Sequence, residues 1–281
     1  MTDARKTILI TGCSSGIGHD AAHLMQRRGW RVFATARKPE DVARLQAEGL
    51  ESFLLDYAST ESIDAAVAEV VARTGGCLDA LYNNGAFATP GAVEDLPRDA
   101  LRDIFETNLF GVHELTCRII PLMRAQGHGC IVNCSSVLGL VPMQWRGAYV
   151  ATKFALEGLT DTLRMEMTDT GIKVVLLEPG PITTNFRKNA RLNFDRWINW
   201  EASPRAEQYR STLVKRLYAA AETTSPDRFE LPPSAVSEKL WWAVTSPEPA
   251  PRYYVTMATH LMGAAKRVLP TRVLDWLVRK G

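Results

Sequence analysis

The sequence lacks the patterns that are typical of secreted proteins, of cysteine zinc sites and of membrane-spanning chains. Its five cysteines are odd in number and include no C-x-x-C pair, which argues against both a disulfide framework and a cysteine zinc site. No apolar run approaches the roughly 18 residues that a membrane-spanning helix needs. The charged N-terminus runs directly into the apolar residues 7–11, without the core of a signal peptide. A reducing, cytoplasmic location is therefore predicted.

An excess of either charge is also missing. Lysine and arginine total 33 against 31 acidic residues, which gives a net charge of +2 at pH 7. The arginines are scattered among acids, so nucleic acid is not predicted as a partner. The histidines form no H-x-x-H or HExxH spacing, and no metal site is predicted. With 281 residues, 46% of them hydrophobic, the chain is long enough for one large globular domain.

Apolar runs alternate with helical patterns along most of the chain. The runs that predict strands are residues 7–11, 30–36, 51–56, 78–84, 130–136, 173–179 and 252–256. Long helices are predicted near residues 98–126 and 147–170. Nearly continuous apolar strands separated by helices are typical of an α/β fold, here a doubly wound, Rossmann-type parallel sheet with helices on both faces.

The alternation stops after Thr184. Residues 186–235 mix aromatic side chains, arginines and prolines without a clear period, and they are predicted to form a substrate lid inserted into a single domain of residues 1–281. Residues 257–281 interleave Leu, Val and Trp with Lys and Arg, which predicts an amphipathic helical tail. Such a tail suits a membrane surface, but more often it packs on the protein itself or on a sister subunit.

A glycine-rich segment, T-G-C-S-S-G-I-G at residues 11–18, lies between the first predicted strand and the first predicted helix. Gly12 permits a sharp turn, Gly16 lets a diphosphate approach the backbone, and Gly18 lets helix and strand pack closely. The start of the helix offers unpaired N–H groups to the anion. The alternative is a tight turn without a ligand, but the position favours dinucleotide binding.

The end of the second strand indicates which dinucleotide is bound. NAD enzymes usually place an acid there to bind the ribose 2′-hydroxyl, whereas this chain has Ala36 followed by Arg37 and Lys38. A guanidinium pairs well with a 2′-phosphate, and Ser14 is a further donor. NADP(H) is therefore predicted in preference to NAD(H), although Arg37 as a solvated surface charge is the alternative.

Tyr149 and Lys153 stand four residues apart in a predicted helix and therefore share one face. This spacing is common on ordinary helices, and on its own it fits packing as well as chemistry. Ser135 and Ser136 at the end of a strand fit a simple turn, and Asn108 fits an ordinary polar helix position. The order of these residues behind a nucleotide-binding turn favours chemistry.

With the glycine turn, Asn108, Ser136, Tyr149 and Lys153 in order, residues 5–185 resemble the short-chain dehydrogenase/reductase family. Further matches are Asp56 after the third strand and the P-G-x-x-x-T turn of residues 179–184. The segments T-G-C-S-S-G-I-G, A-T-A-R-K-P and E-P-G-P-I resemble the branch that contains 17β-hydroxysteroid dehydrogenases, retinol dehydrogenases and bacterial aldehyde reductases. A homo-oligomer, paired through the helices that carry Asn108 and Tyr149, is implied by the resemblance alone.

The resemblance implies a role for each matched residue. Tyr149 is the general acid or base, and its pKa is expected to be lowered by Lys153 and an oxidised nicotinamide. Lys153 also holds the nicotinamide ribose, Asn108 holds a water on the proton route, and Ser136 binds the substrate oxygen. The implied cofactor-binding residues are Gly12, Ser14, Ser15, Gly16, Ile17, Gly18, Arg37, Lys38, Asp56, Tyr57, Asn84, Tyr149, Lys153, Pro179, Gly180, Ile182 and Thr184.

One motif departs from the family pattern. The expected N-N-A-G after the fourth strand appears as Asn83-Asn84-Gly85-Ala86, with the small residues exchanged. A positive φ at Ala86 would carry a steric cost. The departure is therefore expected to affect cofactor affinity.

The residues around the predicted nicotinamide pocket are apolar. Beside Ser136, the predicted substrate contacts are Leu138, Met143, Trp145 and Phe186. An apolar cleft with few polar groups favours a hydrophobic substrate, although these side chains equally suit anchoring of the insertion. The predicted function is NADP(H)-dependent interconversion of a hydrophobic alcohol and its aldehyde or ketone, with reduction as the cellular direction. The alternatives are a non-catalytic NADP(H)-sensing protein and an epimerase or dehydratase of the same fold.

Overall fold

The structure is a computed structural model that describes residues 5–219 and 229–280. Part of the predicted lid, residues 220–228, lies outside the described residues, as do residues 1–4 and 281 at the ends of the predicted domain.

A seven-stranded sheet forms the centre of the molecule, and all its strand pairs are parallel. Its order, β3-β2-β1-β4-β5-β6-β7, reverses direction between β1 and β4. The carboxyl ends of the strands at such a reversal are where ligands bind in doubly wound folds. The predicted fold class is confirmed. The strands are β1 (Thr7–Ile10), β2 (Arg31–Ala36), β3 (Glu51–Leu54), β4 (Ala80–Asn83), β5 (Gly129–Cys134), β6 (Ile172–Glu178) and β7 (Arg252–Tyr254).

Helices cover both faces of this sheet. Side chains alternate along β1, so that Ile8 and Ile10 belong to one apolar layer and Leu9 to the other. The first layer is closed by α1, α2 and α10, and the second by α3, α5 and α6. The helices are α1 (Gly16–Arg27), α2 (Pro39–Ala47), α3 (Thr60–Thr74), α4 (Arg98–Phe105), α5 (Gly111–Gln126), α6 (Gly147–Glu166), α7 (Phe186–Trp197), α8 (Ala206–Gln208), α9 (Lys215–Ala219), α10 (Ser234–Thr245), α11 (Met257–Val268) and α12 (Thr271–Lys280).

The long helix predicted near residues 98–126 is interrupted. A π-helical turn, Glu106–Phe110, separates α4 from α5 and contains Asn108. At its end, Gly111 lies so close to Tyr57 that an added Cβ would be 2.2 Å from the Tyr57 carbonyl oxygen. Turns of this kind are frequent at functional sites. Here the turn directs the buried Asn108 side chain inward.

Two regions without a clear sequence period are helical. Within the predicted lid, α7 to α9 build a small apolar core around Phe194, Tyr209 and Leu213. Beyond it, α10 packs on the sheet layer through Val236 and Leu240, although no helix was predicted there. The π-helical turn Tyr209–Val214 lies between α8 and α9, and such irregular winding removes the regular spacing on which a helix prediction depends.

The C-terminal tail folds as the two helices α11 and α12. Leu274 of α12 is buried with Ala265 of α11 and with Val141, which lies in the segment between Ser136 and Tyr149. Val268 and Trp276 remain 77% and 56% exposed. Among the described helices, none combines the length and the hydropathy needed to cross a bilayer. Part of the apolar stripe is therefore used within the protein itself.

Candidate active site

The glycine turn between β1 and α1 has the geometry expected of a phosphate-binding loop. Gly12 and Gly16 adopt φ values of +69° and +61°, which other residues rarely adopt. A Cβ on Gly12 would lie 2.7 Å from the Gly85 Cα, and one on Gly18 would lie 2.4 Å from the Gly12 carbonyl oxygen. Ser15 precedes α1 and makes no side-chain cap, so the first-turn N–H groups are available to an anion. These residues fit a dinucleotide.

A buried polar network supports the turn from below. Thr11 Oγ1 lies 2.8 Å from the Tyr57 hydroxyl, which donates to Asn83 Oδ1 at 2.7 Å. Asn84 Nδ2 donates to the Thr11 carbonyl at 3.0 Å. The phenol of Tyr57 is therefore committed to the interior, where burial raises its pKa. Its side chain holds the cofactor loops together and does not lie in the cleft.

The altered motif after β4 carries no strain at the substituted residue. Trp145 is the one non-glycine residue with positive φ in the part of the chain that the structure describes, so Ala86 avoids the predicted steric cost. Gly85 also has a negative φ, and its added Cβ would lie 3.1 Å from Tyr57 Cε2. The exchange of small residues is therefore compatible with the close packing of this loop against Gly12.

The adenosine end of the predicted cofactor site is basic and open. Arg37 and Lys38 are exposed, and Lys38 Nζ lies 3.8 Å from Glu40 Oε1. Arg37 makes no hydrogen bond or ion pair with any residue that the structure describes. The half-buried Asp56 carboxylate accepts from the Ala58 N–H at 3.0 Å. No acid stands where an NAD enzyme would place one at the end of β2, as the sequence predicted.

The turn after β6 meets both neighbouring loops. A Cβ on Gly16 would lie 2.9 Å from Thr184 Cγ2, so this threonine lies against the glycine turn. The Val137 N–H donates to the Pro179 carbonyl at 2.8 Å, which ties the segment after Ser136 to the same turn. Gly180 packs against Thr256, whose Oγ1 would be 2.0 Å from an added Cβ. The structure thus brings the predicted nicotinamide turn beside the residues predicted as catalytic.

Tyr149 and Lys153 lie together on α6. Both are buried, at 7% and 3% exposure. Lys153 Nζ is 5.5 Å from the centre of the tyrosine ring and donates to the Cys134 carbonyl at 2.7 Å. One helical turn therefore places the ammonium beside the phenol, at the carboxyl end of β5.

Ser136 and Asn108 complete the group. The Ser136 hydroxyl accepts from the Leu138 N–H at 3.1 Å, and it lies near enough to the Tyr149 phenol to oppose the rise in the pKa of that phenol. Asn108 Nδ2 donates to the Phe87 carbonyl at 2.8 Å and to Thr152 Oγ1 at 3.2 Å. Thr152 in turn donates to the Tyr149 carbonyl at 2.8 Å. The four residues predicted as catalytic therefore converge from β5, the π-helical turn and α6.

The expected lowering of the Tyr149 pKa by Lys153 and an oxidised nicotinamide concerns the cofactor-bound protein and stays a prediction. In the protein by itself, burial raises the pKa of this phenol, and the Ser136 hydroxyl opposes the rise. Burial likewise lowers the pKa of Lys153. Desolvation is the largest influence on both groups, and the Lys153 ammonium is held by its hydrogen bond to the Cys134 carbonyl. The tyrosine is consequently held in its proton-donating form.

The predicted substrate contacts divide into two groups. Leu138 and Phe186 pack with Tyr149 in one apolar cluster, and the rings of Phe186 and Tyr149 are 5.4 Å apart. Met143 and Trp145 instead line an open cleft of about 580 Å³ further out. Trp145 has a φ of +65°, and its ring lies 4.7 Å from that of Tyr209 in the insertion. A bulky residue in this conformation is strained and is typical of functional sites.

Two arginines of this region were not predicted. Arg44 Nη2 donates to the Ser14 carbonyl of the glycine turn at 2.5 Å. Arg146, three residues before Tyr149, is half-buried, and its Nη1 atom is enclosed without a hydrogen-bond partner among the described residues. Burial lowers its pKa to about 10, and the positive charges of Arg216 and Arg187 add to this effect. Both resemble solvated surface charges in the sequence, and only their proximity to known motifs could have singled them out.

The geometry has a counterpart in known proteins. The family model described as short chain dehydrogenase matches residues 6–194. The chain belongs to this family. Like other short-chain dehydrogenases, it is an oxidoreductase acting on CH–OH groups, as the sequence predicted.

Similarity to individual short-chain dehydrogenases extends over nearly the whole chain. The uncharacterized oxidoreductase YbbO of Escherichia coli (strain K12) is 42% identical over 98% of this chain and 94% of its own. Retinol dehydrogenase 16 of Mus musculus is 32% identical over 97% and 87%. The NADPH-dependent 3-dehydrocapnine reductase of Ornithobacterium rhinotracheale is 30% identical over 97% and 95%. The resemblance to retinol dehydrogenases is thereby confirmed.

A solved structure shows the same likeness in three dimensions. A short-chain dehydrogenase from Streptomyces avermitilis superposes with a TM-score of 0.78 at 28% identity, and the match covers 98% of this chain and 97% of that one. The parallel sheet and the helices that cover it therefore belong to a fold that the two chains share over nearly their full lengths.

Proposed function

We propose that the protein reduces a hydrophobic aldehyde or ketone to its alcohol with NADPH. The observation that carries the proposal is the convergence of Ser136, Tyr149 and Lys153 beside the turn of Pro179 and Thr184. When bound, the nicotinamide supplies the hydride. The residues of the chain then have to hold the substrate oxygen, provide its proton and restore that proton.

The side chains around the reacting carbonyl have distinct tasks. The Ser136 hydroxyl and the Tyr149 phenol bind the carbonyl oxygen, and the phenol donates its proton as negative charge develops there. Lys153 stabilises the phenolate that remains. Asn108, fixed by the Phe87 backbone and Thr152, stands behind this pair to relay a proton from water. A phenol with a raised pKa suits donation, and hence reduction.

Cofactor choice depends on Arg37. This side chain is exposed and makes no hydrogen bond or ion pair with any described residue, so it is available to a 2′-phosphate. The name of the 30% identical relative also specifies NADPH. We expect Arg37→Ala to raise the KM for NADPH about tenfold, since a hydrogen bond to a charged group contributes roughly 1.5–3 kcal/mol. The KM for NADH should stay unchanged; an equal rise for both cofactors would contradict the assignment.

The test of the function is a carbonyl screen. NADPH oxidation is followed with long-chain aldehydes, retinal and steroid ketones, with wild type, Tyr149→Phe and, as a control on the same helix, the exposed Phe154→Leu. Tyr149→Phe should lose at least about a hundredfold in kcat, the usual contribution of general acid catalysis, while retaining NADPH binding. Full activity of Tyr149→Phe would refute the mechanism. Tight NADPH binding without turnover of any carbonyl would support the non-catalytic alternative, which no observed feature favours.

Three further assignments are part of the proposal. The helices α7 to α9 act as a substrate lid, supported by the contact between Trp145 and Tyr209. The chain forms a homo-oligomer through the helices that carry Asn108 and Tyr149. The tail supports the segment around Val141, with membrane contact through its exposed residues as the alternative.

A further inference from the structure

Two histidines and a glutamate converge on one point away from the catalytic group. His19 and His23 lie one turn apart on α1, and Glu48 follows the end of α2. His19 Nε2 and His23 Nε2 are 2.6 Å and 2.8 Å from the same atom, Glu48 Oε2. One donor atom from each residue lies within 4.8 Å of the others. The four-residue spacing H-x-x-x-H differs from the spacings considered in the sequence, and Glu48 is distant in the chain.

The donor set suits a transition metal. Imidazole nitrogen and carboxylate oxygen are ordinary ligands of Zn²⁺, which binds them at about 2.0–2.2 Å. Donor atoms of a tetrahedral zinc ion are about 3.4 Å apart, so the two imidazole nitrogens would have to move roughly half an ångström or more away from Glu48 Oε2. The side chains of His19, His23 and Glu48 are 33%, 22% and 29% exposed, so they can adjust and an ion can enter. Open coordination positions would be filled by water.

The same glutamate is connected to the phosphate-binding turn. Glu48 Oε1 accepts from Arg44 Nη1 at 2.8 Å, and Arg44 Nη2 donates to the Ser14 carbonyl at 2.5 Å. We propose that His19, His23 and Glu48 form a zinc site whose occupancy is coupled, through Arg44, to dinucleotide binding at the glycine turn. The coupling, but not the zinc site, rests on the proposed function. Because coupling is reciprocal, NADPH must change zinc affinity by the same factor.

Calorimetric titration of metal-free, untagged protein with zinc chloride tests the site. One ion per chain is expected, with at least tenfold weaker binding in the His19→Gln, His23→Gln double variant. The matched control is His128→Gln, which removes a histidine paired elsewhere with Asp79. Because Cys117 Sγ lies 3.6 Å from His113 Nε2, all variants carry Cys117→Ser. Equal zinc binding by the double variant, or wild-type binding weaker than millimolar, would overturn the site.

The coupling has its own measurement. The Kd for NADPH is measured by cofactor fluorescence with and without saturating zinc. A change of about fivefold, the lower end of usual couplings, is expected in wild type and should vanish in Arg44→Gln while zinc binding persists. An unchanged Kd in wild type would refute the coupling and leave the zinc site standing.

A second, independent observation concerns the substrate. The Nη1 atom of Arg146 is buried and has no hydrogen-bond partner among the described residues. The charged groups that act on this arginine, Arg216 and Arg187, are also positive. Arg187 Nη2 has Glu230 Oε2 at 3.9 Å. A guanidinium nitrogen that is buried without a hydrogen-bond partner is costly unless a ligand completes it. The residue lies three positions before Tyr149, and Arg187 follows Phe186, which contacts the tyrosine ring.

We infer that the substrate carries an anionic group, a carboxylate, sulfonate or phosphate, which Arg146 binds while the apolar cluster around Leu138 and Phe186 receives the chain that bears the carbonyl. This inference rests on the proposed function. A bidentate guanidinium contact is the usual means of recognising such groups. The substrate class is therefore an amphiphilic, acidic carbonyl compound.

Two aldehydes of equal length, one neutral and one ending in a carboxylate, distinguish the outcomes. Wild type should show a KM about tenfold lower for the acidic aldehyde, and Arg146→Gln should remove that difference without changing the neutral KM. The control is Arg210→Gln, which alters an exposed arginine of the insertion that pairs with Glu207. Equal KM values in wild type, or equal losses for both aldehydes in Arg146→Gln, would refute the inference.

A binding measurement separates this inference from the proposed function. A long-chain carboxylate and the matching alcohol, neither of them an aldehyde, are titrated against the NADP-loaded protein by tryptophan fluorescence. Tighter binding of the carboxylate, lost in Arg146→Gln, would support the anion site even if neither aldehyde were turned over. Absence of turnover with equal binding of both compounds would refute function and anion site together.

Discussion

Tyr149 is enclosed between the Ser136 hydroxyl and the Lys153 side chain, and this enclosure determines its protonation. Burial raises the pKa of the phenol above its ordinary value, so the proton is retained throughout the neutral range. Reduction requires the protonated phenol, whereas oxidation of the alcohol requires the phenolate. The rates of the two directions should therefore depend differently on pH.

We expect the rate of carbonyl reduction to be flat from about pH 6 to 9, because the phenol stays protonated below its raised pKa. The rate of alcohol oxidation should rise with pH over the same range. Both are checked by kcat/KM profiles in the two directions, with Tyr149→Phe as the control that lacks the ionisation. A fall in reduction rate between pH 7 and 8 would instead show that the bound cofactor lowers this pKa, as the sequence predicted.

Gly18 is required for steric reasons alone. Its φ is ordinary, but an added Cβ would lie 2.4 Å from the Gly12 carbonyl oxygen. Gly18→Ala should lower the free energy of unfolding by about 2–3 kcal/mol and weaken NADPH binding by displacing the turn. Urea unfolding and NADPH titration measure the two effects.

Gly49 provides the matched control for that substitution. It has a φ of +87° and no atom within 4 Å of an added Cβ. Gly49→Ala should therefore cost only backbone strain, about 1–2 kcal/mol, and leave NADPH affinity unchanged. Equal loss of NADPH affinity in both variants would show that Gly18 acts through general stability.

Motif spacing was enough to predict which residues meet in the candidate site, but it was not enough to predict interactions between residues distant in sequence. Ser136, Tyr149 and Lys153 converge as expected because each lies at a fixed place in an element. Whether the Arg146 side chain finds a hydrogen-bond partner depends on helices far along the chain. The pKa of Tyr149 depends on enclosure by several elements, which spacing does not contain.

At the scale of elements, Arg252 joins the edge of the sheet to α6. This residue of β7 forms ion pairs with Glu178 of β6 and with Glu157 and Asp161 of α6. Burial, followed by the neighbouring Glu157, raises the pKa of Glu178 from 4.5 to about 8. A carboxyl whose pKa is higher in the folded state binds more protons there, so its contribution to stability falls as pH rises from about 4.5 to 8.

Arg252→Met should lower the free energy of unfolding by about 3–5 kcal/mol, because buried carboxylates are left without their cation. The loss should grow with pH across the same range as Glu178 ionises. Urea unfolding at several pH values measures it. Arg164→Met, which removes the partly exposed partner of Asp161, should cost less than about 1 kcal/mol; an equal cost, or a loss independent of pH, would contradict the role of Arg252.

Elements with a regular pattern were predictable, and elements that depend on tertiary packing were not. The strands are apolar throughout because helices cover both faces of the sheet. The π-helical turn at Asn108 ends where Gly111 packs against Tyr57, and these two residues are distant in sequence. Helix α10 has two adjacent tryptophans at its centre, and Trp242 is 60% exposed. Its apolar residues are therefore not confined to the face that packs on the sheet.

For the whole molecule, the proposed homo-oligomer is the property least visible in one chain. Phe110, at the end of the π-helical turn, is 51% exposed, and Leu159 and Met165 of α6 are 40% and 68% exposed. Exposed apolar side chains on neighbouring helices are typical of surfaces that bind another protein. These helices are also the ones that the family resemblance assigns to pairing.

We expect light scattering after gel filtration to give at least a dimer, and the double variant Phe110→Glu, Leu159→Glu to give a monomer, because buried like charges oppose association. The control is Leu192→Glu on α7, where a 64% exposed leucine should be replaceable without effect on mass. A monomeric wild type, or an oligomer that survives the double variant, would contradict pairing through these helices. Since Phe110 adjoins the turn that holds Asn108, a true monomer should also turn over more slowly.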